Sequence, residues 1–173
     1  PAMSLLEVRT LSRRFGETVV LAEISLDVDS GEAVALTGPN GSGKTTLLRC
    51  VVGSDVPTAG TVTLGGEPLD ERSPTVRRRV ASVLDDLGFF PDLSAVEHLD
   101  LVARAHGVDD AEAAVDALLD ELGLIGVSGQ LPGSLSSGQR RRLALASALV
   151  RPRDLLILDE PEQRLDAAGL EWL

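Results

Sequence analysis

The eight residues Gly38-Pro39-Asn40-Gly41-Ser42-Gly43-Lys44-Thr45 follow the pattern G-x-x-x-x-G-K-[ST], and they constrain the fold more than any other stretch. Such a loop works only where a strand delivers the chain to it and a helix carries the chain away. Its glycines let consecutive backbone N–H groups converge on phosphate oxygens, and the following helix turns its positive dipole end toward the same anion. Lys44 adds a mobile positive charge for the outer phosphates, and the Thr45 hydroxyl is a candidate Mg²⁺ ligand. Both flanks are present. Ala33 to Thr37 is a compact apolar run, expected to be a strand buried on both faces, and the residues after Gly43 read as a helix through about Cys50. The chain is therefore expected to bind a nucleoside triphosphate.

A second segment, Leu155-Leu156-Ile157-Leu158-Asp159-Glu160-Pro161, reads as a buried strand that stops at two carboxylates, the layout of a Walker B motif. Asp159 can hold Mg²⁺ directly or through water. Glu160 would stand where a water attacks the γ-phosphate, and a carboxylate there can orient and deprotonate that water. On the alternative reading these carboxylates only end a strand or pair with arginines.

Outside these two segments the chain alternates strands and helices. Ile24, Leu26 and Val28 alternate with polar residues in a half-buried strand that ends at Ser30-Gly31, and Thr61 to Leu64 and Val80 to Leu84 read as further strands. Ser94 and Glu97 have capping-box spacing at the head of a helix with Val96, Leu99, Val102 and Ala103 on one face, ending at Gly107. Asp109 with Glu112 opens a second helix, whose apolar stripe is Ala111, Val115, Leu118 and Leu122. Leu131-Pro132-Gly133 reads as a loop, and Ser136 to Leu149 as a third helix. The expected architecture is α/β with a helical insertion. The basic runs Arg77-Arg78-Arg79 and Arg140-Arg141-Arg142 read as solvated helix faces.

Leu135-Ser136-Ser137-Gly138-Gln139 lies shortly before the second carboxylate strand. Alone, Ser136-Ser137-Gly138 is an N-cap turn whose hydroxyls, glycine backbone and helix N-terminus offer donors to an anion. Taken in order with the other two segments, it resembles the signature loop of the ATP-binding cassette (ABC) family. The resemblance covers nearly the whole chain. It implies a P-loop NTPase core with a mostly parallel sheet, an N-terminal antiparallel β subdomain and a helical subdomain insertion. The implied single domain divides into a β subdomain and P-loop core at 1–85 and 150–173, and a helical subdomain with the signature loop at 86–149.

The resemblance also implies an ATPase subunit of a transporter that uses ATP and Mg²⁺. Two copies would sandwich two nucleotides, with Ser136, Ser137, Gly138 and Gln139 of one closing on the γ-phosphate held by the other. A transmembrane permease would be the further partner, placing the subunit at the cytoplasmic face of the membrane. Gly38 to Thr45 and Thr46 would cradle the nucleotide, and Phe15 takes the place of the aromatic residue that stacks on adenine. Arg164-Leu165-Asp166 matches the D-loop. Phe89-Phe90-Pro91 follows the Q-loop, near the groove where the membrane partner docks; those aromatics could equally seal the core of the helical subdomain.

The chain departs from the family pattern at three places. Ser137 stands where glycine is commoner. The usual Q-loop glutamine is replaced by Asp85, followed by Asp86; an Asp can still bind Mg²⁺ but is shorter, lacks the amide donor and brings negative charge near the γ-phosphate. The family's switch histidine would lie beyond Leu173, so the chain reads as a fragment of a longer domain or as a degenerate short form, the fragment being favoured, with Trp172 expected to be partly exposed. His98 and His106 do not substitute for it. His106, just before Gly107, reads as a cation at a helix C-terminus.

Composition narrows the alternatives. A net charge of −11 argues against a nucleic-acid backbone as the main ligand, and no window approaches the roughly 18 consecutive apolar residues of a membrane span. Cys50, the only cysteine, excludes an intramolecular disulfide and fits a cytosolic setting. Pro1-Ala2 ahead of Met3 read as an addition outside the fold. The competing functions are a soluble cassette protein acting on ribosomes or DNA, and a nucleotide-binding regulatory module with little turnover.

Overall fold

A computed structural model describes residues 4–70, 72–84 and 88–172, except for the side chains at 168, 170 and 172. The chain forms two compact units, Pro1–Val80 and Ala81–Leu173.

The first unit is built on a four-stranded sheet in the order β2-β1-β3-β4, with β1 Leu6–Phe15, β2 Thr18–Val28, β3 Ala59–Leu64 and β4 Glu67–Pro68, all paired antiparallel. Helix α1, Lys44–Val52, and a short α2, Pro74–Arg79, complete it. Leu6, Val8, Leu11, Leu21 and Leu64, with Leu47, Cys50 and Val51 of α1 and Val76 of α2, are its buried hydrophobic residues. Burial pushes the Cys50 thiol up, with Asp55 adding to the effect, so this cysteine behaves as a core residue.

Strict alternation along β1 would bring Thr10 inward after Leu6 and Val8. A bulge prevents this: Thr10 takes φ 46, the register with β2 shifts between Val8 and Leu11, and Leu11 is buried instead. Two hydroxyls serve the backbone around the irregularity, Ser25 Oγ accepting from Thr10 N at 2.8 Å and Ser12 Oγ from Glu23 N at 3.0 Å. On the other side, β3 lies so close that a Cβ on Gly60 would come within 2.5 Å of the Arg9 and Thr10 carbonyl oxygens. Only glycine lets the third strand pass the bulge.

Ile24, Leu26 and Val28 are half-buried and their neighbours exposed, as the alternation predicts. The run Ala33 to Thr37 differs from expectation. It forms no strand, and Ala33, Val34 and Ala35 are exposed. An apolar run becomes a strand only where it pairs with another, and this run joins neither sheet.

The second unit pairs β5, Val80–Val83, with β6, Leu155–Leu158, and carries helices α3 Ala95–Ala105, α4 Ala111–Glu121, α5 Ser137–Leu149 and α6 Ala167–Trp172. Leu99, Ala103, Val115, Leu119, Leu124 and Leu143 form the centre of one apolar cluster; Ala81, Val83, Ala144, Leu145 and Ala148 form another. Ser94 and Glu97 make the expected capping box. The cap of α4 is Asp110 rather than Asp109, its carboxylate accepting from Ala113 N at 3.2 Å. Leu119, four residues after Val115, joins Ala111, Val115 and Leu122 in the buried stripe, and Leu118 is half-buried. Pro132–Ser134 is a short 3₁₀ turn rather than an irregular loop. Among the described residues no helix is long and apolar enough to cross a membrane.

Candidate functional site

Within the first unit the loop into α1 has the backbone that its glycines allow. Gly41 (φ 81) and Gly43 (φ 92) take the left-handed conformation, and Ser42 N closes a turn on Pro39 O at 3.2 Å. A Cβ at Gly43 would lie 3.0 Å from the Val20 carbonyl oxygen and from Leu21 Cδ2, so residue 43 must be glycine for the loop to rest on β2. Helix α1 starts without a side-chain cap and without an acidic residue in its first turn. No protein carboxylate therefore offsets the positive end of the α1 dipole, which favours a nearby anion.

Lys44, Thr45 and Thr46 sit half-buried in that first turn, while Gly38, Pro39 and Asn40 are exposed. Lys44 Nζ donates to the carbonyl oxygens of Gly38 at 2.7 Å and Pro39 at 3.0 Å. The ammonium therefore lies folded over the loop it serves, and its bonds are ones a phosphate oxygen can replace. At the end of β1, Phe15 is 50% exposed and the Arg13 guanidinium lies 4.3 Å from its ring centroid. Arg13 is held in turn by Asp55, Nη2 to Oδ1 at 2.6 Å. The exposed ring suits a stacking partner.

In the second unit, β6 delivers Asp159 and Glu160 half-buried at its end, with Asp159 N donating to Val83 O at 2.9 Å. Glu160 has φ 44 and Arg164 φ 65, both unusual for residues with a Cβ. The Arg141 side chain on α5 donates to the carbonyls of Asp159 and Glu160. The basic run is thus not the solvated face expected of it. Arg140 bonds Leu135 O at 2.7 Å, and Arg142 bonds Leu122 O at 3.3 Å and pairs with Asp166. A sequence signal existed: the residues that follow, Leu143, Ala144, Leu145, Ala146 and Ala148, leave α5 little face for solvent.

The loop before α5 is a capping box. Ser136 Oγ accepts from Gln139 N at 3.2 Å, and the Gln139 side-chain oxygen accepts from Ser136 N at 2.8 Å. Ser136 and Ser137 are exposed. A Cβ at Gly138 would lie 2.9 Å from the Arg164 carbonyl oxygen, so this glycine lets the 164–166 turn approach. Asp166 caps α6, accepting from Gly169 N at 2.9 Å; that bond, and Arg142 after it, hold its carboxyl below the usual range.

Both histidines are structural. His98 is 5% exposed; Phe89 and Phe90 lie 5.3 and 5.7 Å from its ring, and its Nε2 is 3.1 Å from Ser147 Oγ. His106 lies at the end of α3, as expected, with Nδ1 2.9 Å from Val102 O and Nε2 2.8 Å from Arg151 Nη1. Asp85 and Asp86 lie outside the described residues, as does the side chain of Trp172.

A model of the ABC transporter family matches residues 21–163. The chain is 42% identical to the Nod factor export ATP-binding protein I of Cupriavidus pinatubonensis, over 99% of the chain and 54% of that protein. It is 40% identical to the spermidine/putrescine import ATP-binding protein PotA of Pseudomonas aeruginosa, covering 94% of the chain and 45% of the relative. A solved structure described as the ATP binding subunit of an ABC transporter superposes with TM-score 0.88 at 32% identity, over 98% of this chain and 71% of that one. The chain spans about half the length of these curated relatives. With a family match over most of its length and the fold of an ATP-binding subunit, this chain belongs to the ABC transporter family.

Proposed function

We propose that the chain is the ATP-hydrolysing part of an ABC transporter subunit, and the observation that carries this reading is the Gly38 to Thr45 loop, which enters α1 through left-handed Gly41 and Gly43 with Lys44 folded over it. Loop and helix N-terminus, with Thr46, take the phosphates, and Lys44 exchanges its two carbonyl bonds for the outer phosphate oxygens. Phe15 offers its ring to the adenine.

The donor set suits Mg²⁺. Thr45 in the first unit and, taken separately, Asp159 in the second each offer a hard oxygen of the kind this ion takes beside phosphate oxygens and waters. When bound, it neutralises charge on the β- and γ-phosphates. Asp85 is a further candidate ligand. Glu160, presented by its turn at the end of β6, orients the attacking water and takes its proton.

The 86–149 segment is proposed as the helical subdomain. Its exposed Ser136-Ser137-Gly138 loop, with Gln139, completes the nucleotide site of a second ABC domain, and a membrane permease receives the motion at the cytoplasmic face. Relatives named for export and for import both lie near 40% identity, so the reading commits to transport and to neither direction.

Glu160→Gln tests the chemistry. Mg·ATP affinity should be retained while turnover falls by roughly 100-fold or more. A variant that turns over ATP at the parent rate would remove Glu160 from the base role.

A further inference from the structure

The three arginines of α5 turn inward to different ends, and Arg141 alone reaches the turn that follows β6. Its Nη2 donates to the carbonyl oxygens of Asp159 and Glu160, both at 2.7 Å, and its Nε lies 3.5 Å from the carbonyl oxygen of Pro161. Successive carbonyls along a strand point in opposite directions. Three in a row can face one guanidinium only where the chain turns, and here it does so with Glu160 at φ 44, a conformation that disfavours a residue with a Cβ. The planar fork of arginine, with five N–H donors, matches such a cluster of acceptors.

We infer that Arg141 is a positioning residue for Glu160: its bonds to the Asp159, Glu160 and Pro161 carbonyls hold the turn from which the Glu160 carboxylate is presented. The inference rests on the proposed role of Glu160 as general base. Arg141 donates to the backbone on both sides of that residue and acts through it. Removing the guanidinium takes away the donor that these three successive carbonyls share, and the turn around its left-handed residue is held less firmly.

The test compares Arg141→Gln, Arg141→Lys, Glu160→Gln and the Arg141→Gln/Glu160→Gln double variant in the purified protein, by Mg·ATP turnover, Mg·ATP binding and amide hydrogen exchange. Arg141→Gln should lower kcat by roughly 10-fold or more while the Kd for Mg·ATP changes by less than roughly 2-fold, and Arg141→Lys should recover part of the loss. The double variant should be no slower than Glu160→Gln alone, because both substitutions remove the same contribution. The amides of Gln163 and Leu165, which bond the Glu160 and Glu162 carbonyls within the turn, should exchange faster in Arg141→Gln, with the buried amides of α5 unchanged.

A full-rate Arg141→Gln beside a slow Glu160→Gln overturns the inference and leaves the base role standing. Losses that multiply in the double variant overturn it too, since Arg141 would then act elsewhere. A full-rate Glu160→Gln removes the base role and the inference with it. Where turnover is too slow to divide between variants, exchange decides: unchanged Gln163 and Leu165 amides overturn the assignment.

Discussion

His98 is a small case of hydrogen-bond accounting with a measurable consequence. Ser147 Oγ donates to Leu143 O at 2.9 Å, so it accepts from His98 Nε2–H, and Nδ1 is left buried without a partner. Protonation would place a second N–H where no acceptor waits, and burial accordingly holds the His98 pKa below its ordinary value of 6.5. In the unfolded chain the ring binds its proton first, so stability is complete above that value and declines as the pH falls through it toward the folded pKa. The midpoint of thermal unfolding should drop over this window, and His98→Gln, which keeps a donor for Ser147, should flatten the dependence. Lys44 is governed by the same accounting. Its two carbonyl bonds are replaceable by phosphate, and Lys44→Ala should raise the Kd for Mg·ATP by about 10-fold to 100-fold in a calorimetric titration, from the loss of charge-assisted bonds. Unchanged affinity would sink the phosphate-cradle assignment.

At the scale of elements, what was readable along the chain was whatever depends on near neighbours. The capping box at Ser94 and the N-cap at Ser136 were legible because each is made by residues close in sequence; that Gln139 completes a box at Ser136 came from the structure. The β1 bulge was not: the alternation Leu6, Val8 continues to Thr10 on paper, and only pairing with two strands at once turns Leu11 inward. Gly60 is where that cost becomes testable. A methyl group 2.5 Å from two carbonyl oxygens, on a residue with φ 88, cannot be absorbed by side-chain movement. Gly60→Ala should destabilise the chain by about 2–4 kcal/mol in denaturant unfolding. The expected strand at Ala33 to Thr37 failed for the converse reason, because an apolar run does not carry its own hydrogen-bonding partner.

For the whole molecule, the proposed sandwich of two copies makes the exposed loop before α5 the critical surface. Ser137→Arg leaves the α1 loop untouched and puts a long cation where the partner's nucleotide would close. Mg·ATP binding per chain should be retained while the ATP-dependent rise in mass seen by light scattering disappears; a dimer that still forms would contradict the assignment. The sequence by itself determined the glycine-rich loop before α1, the paired carboxylates after β6, the loop before α5 and the helices α3, α4 and α5, because each depends on residue types at fixed short spacings. It also carried the family resemblance that the comparisons bear out. Only the tertiary structure decided what the long polar side chains do. Arg141 and Arg142 bond residues 18 to 24 positions away, Lys44 folds over its own loop, and His98 reaches a serine 49 residues on. A guanidinium or imidazole can bond any acceptor within its reach, and which acceptor comes within reach is settled by packing.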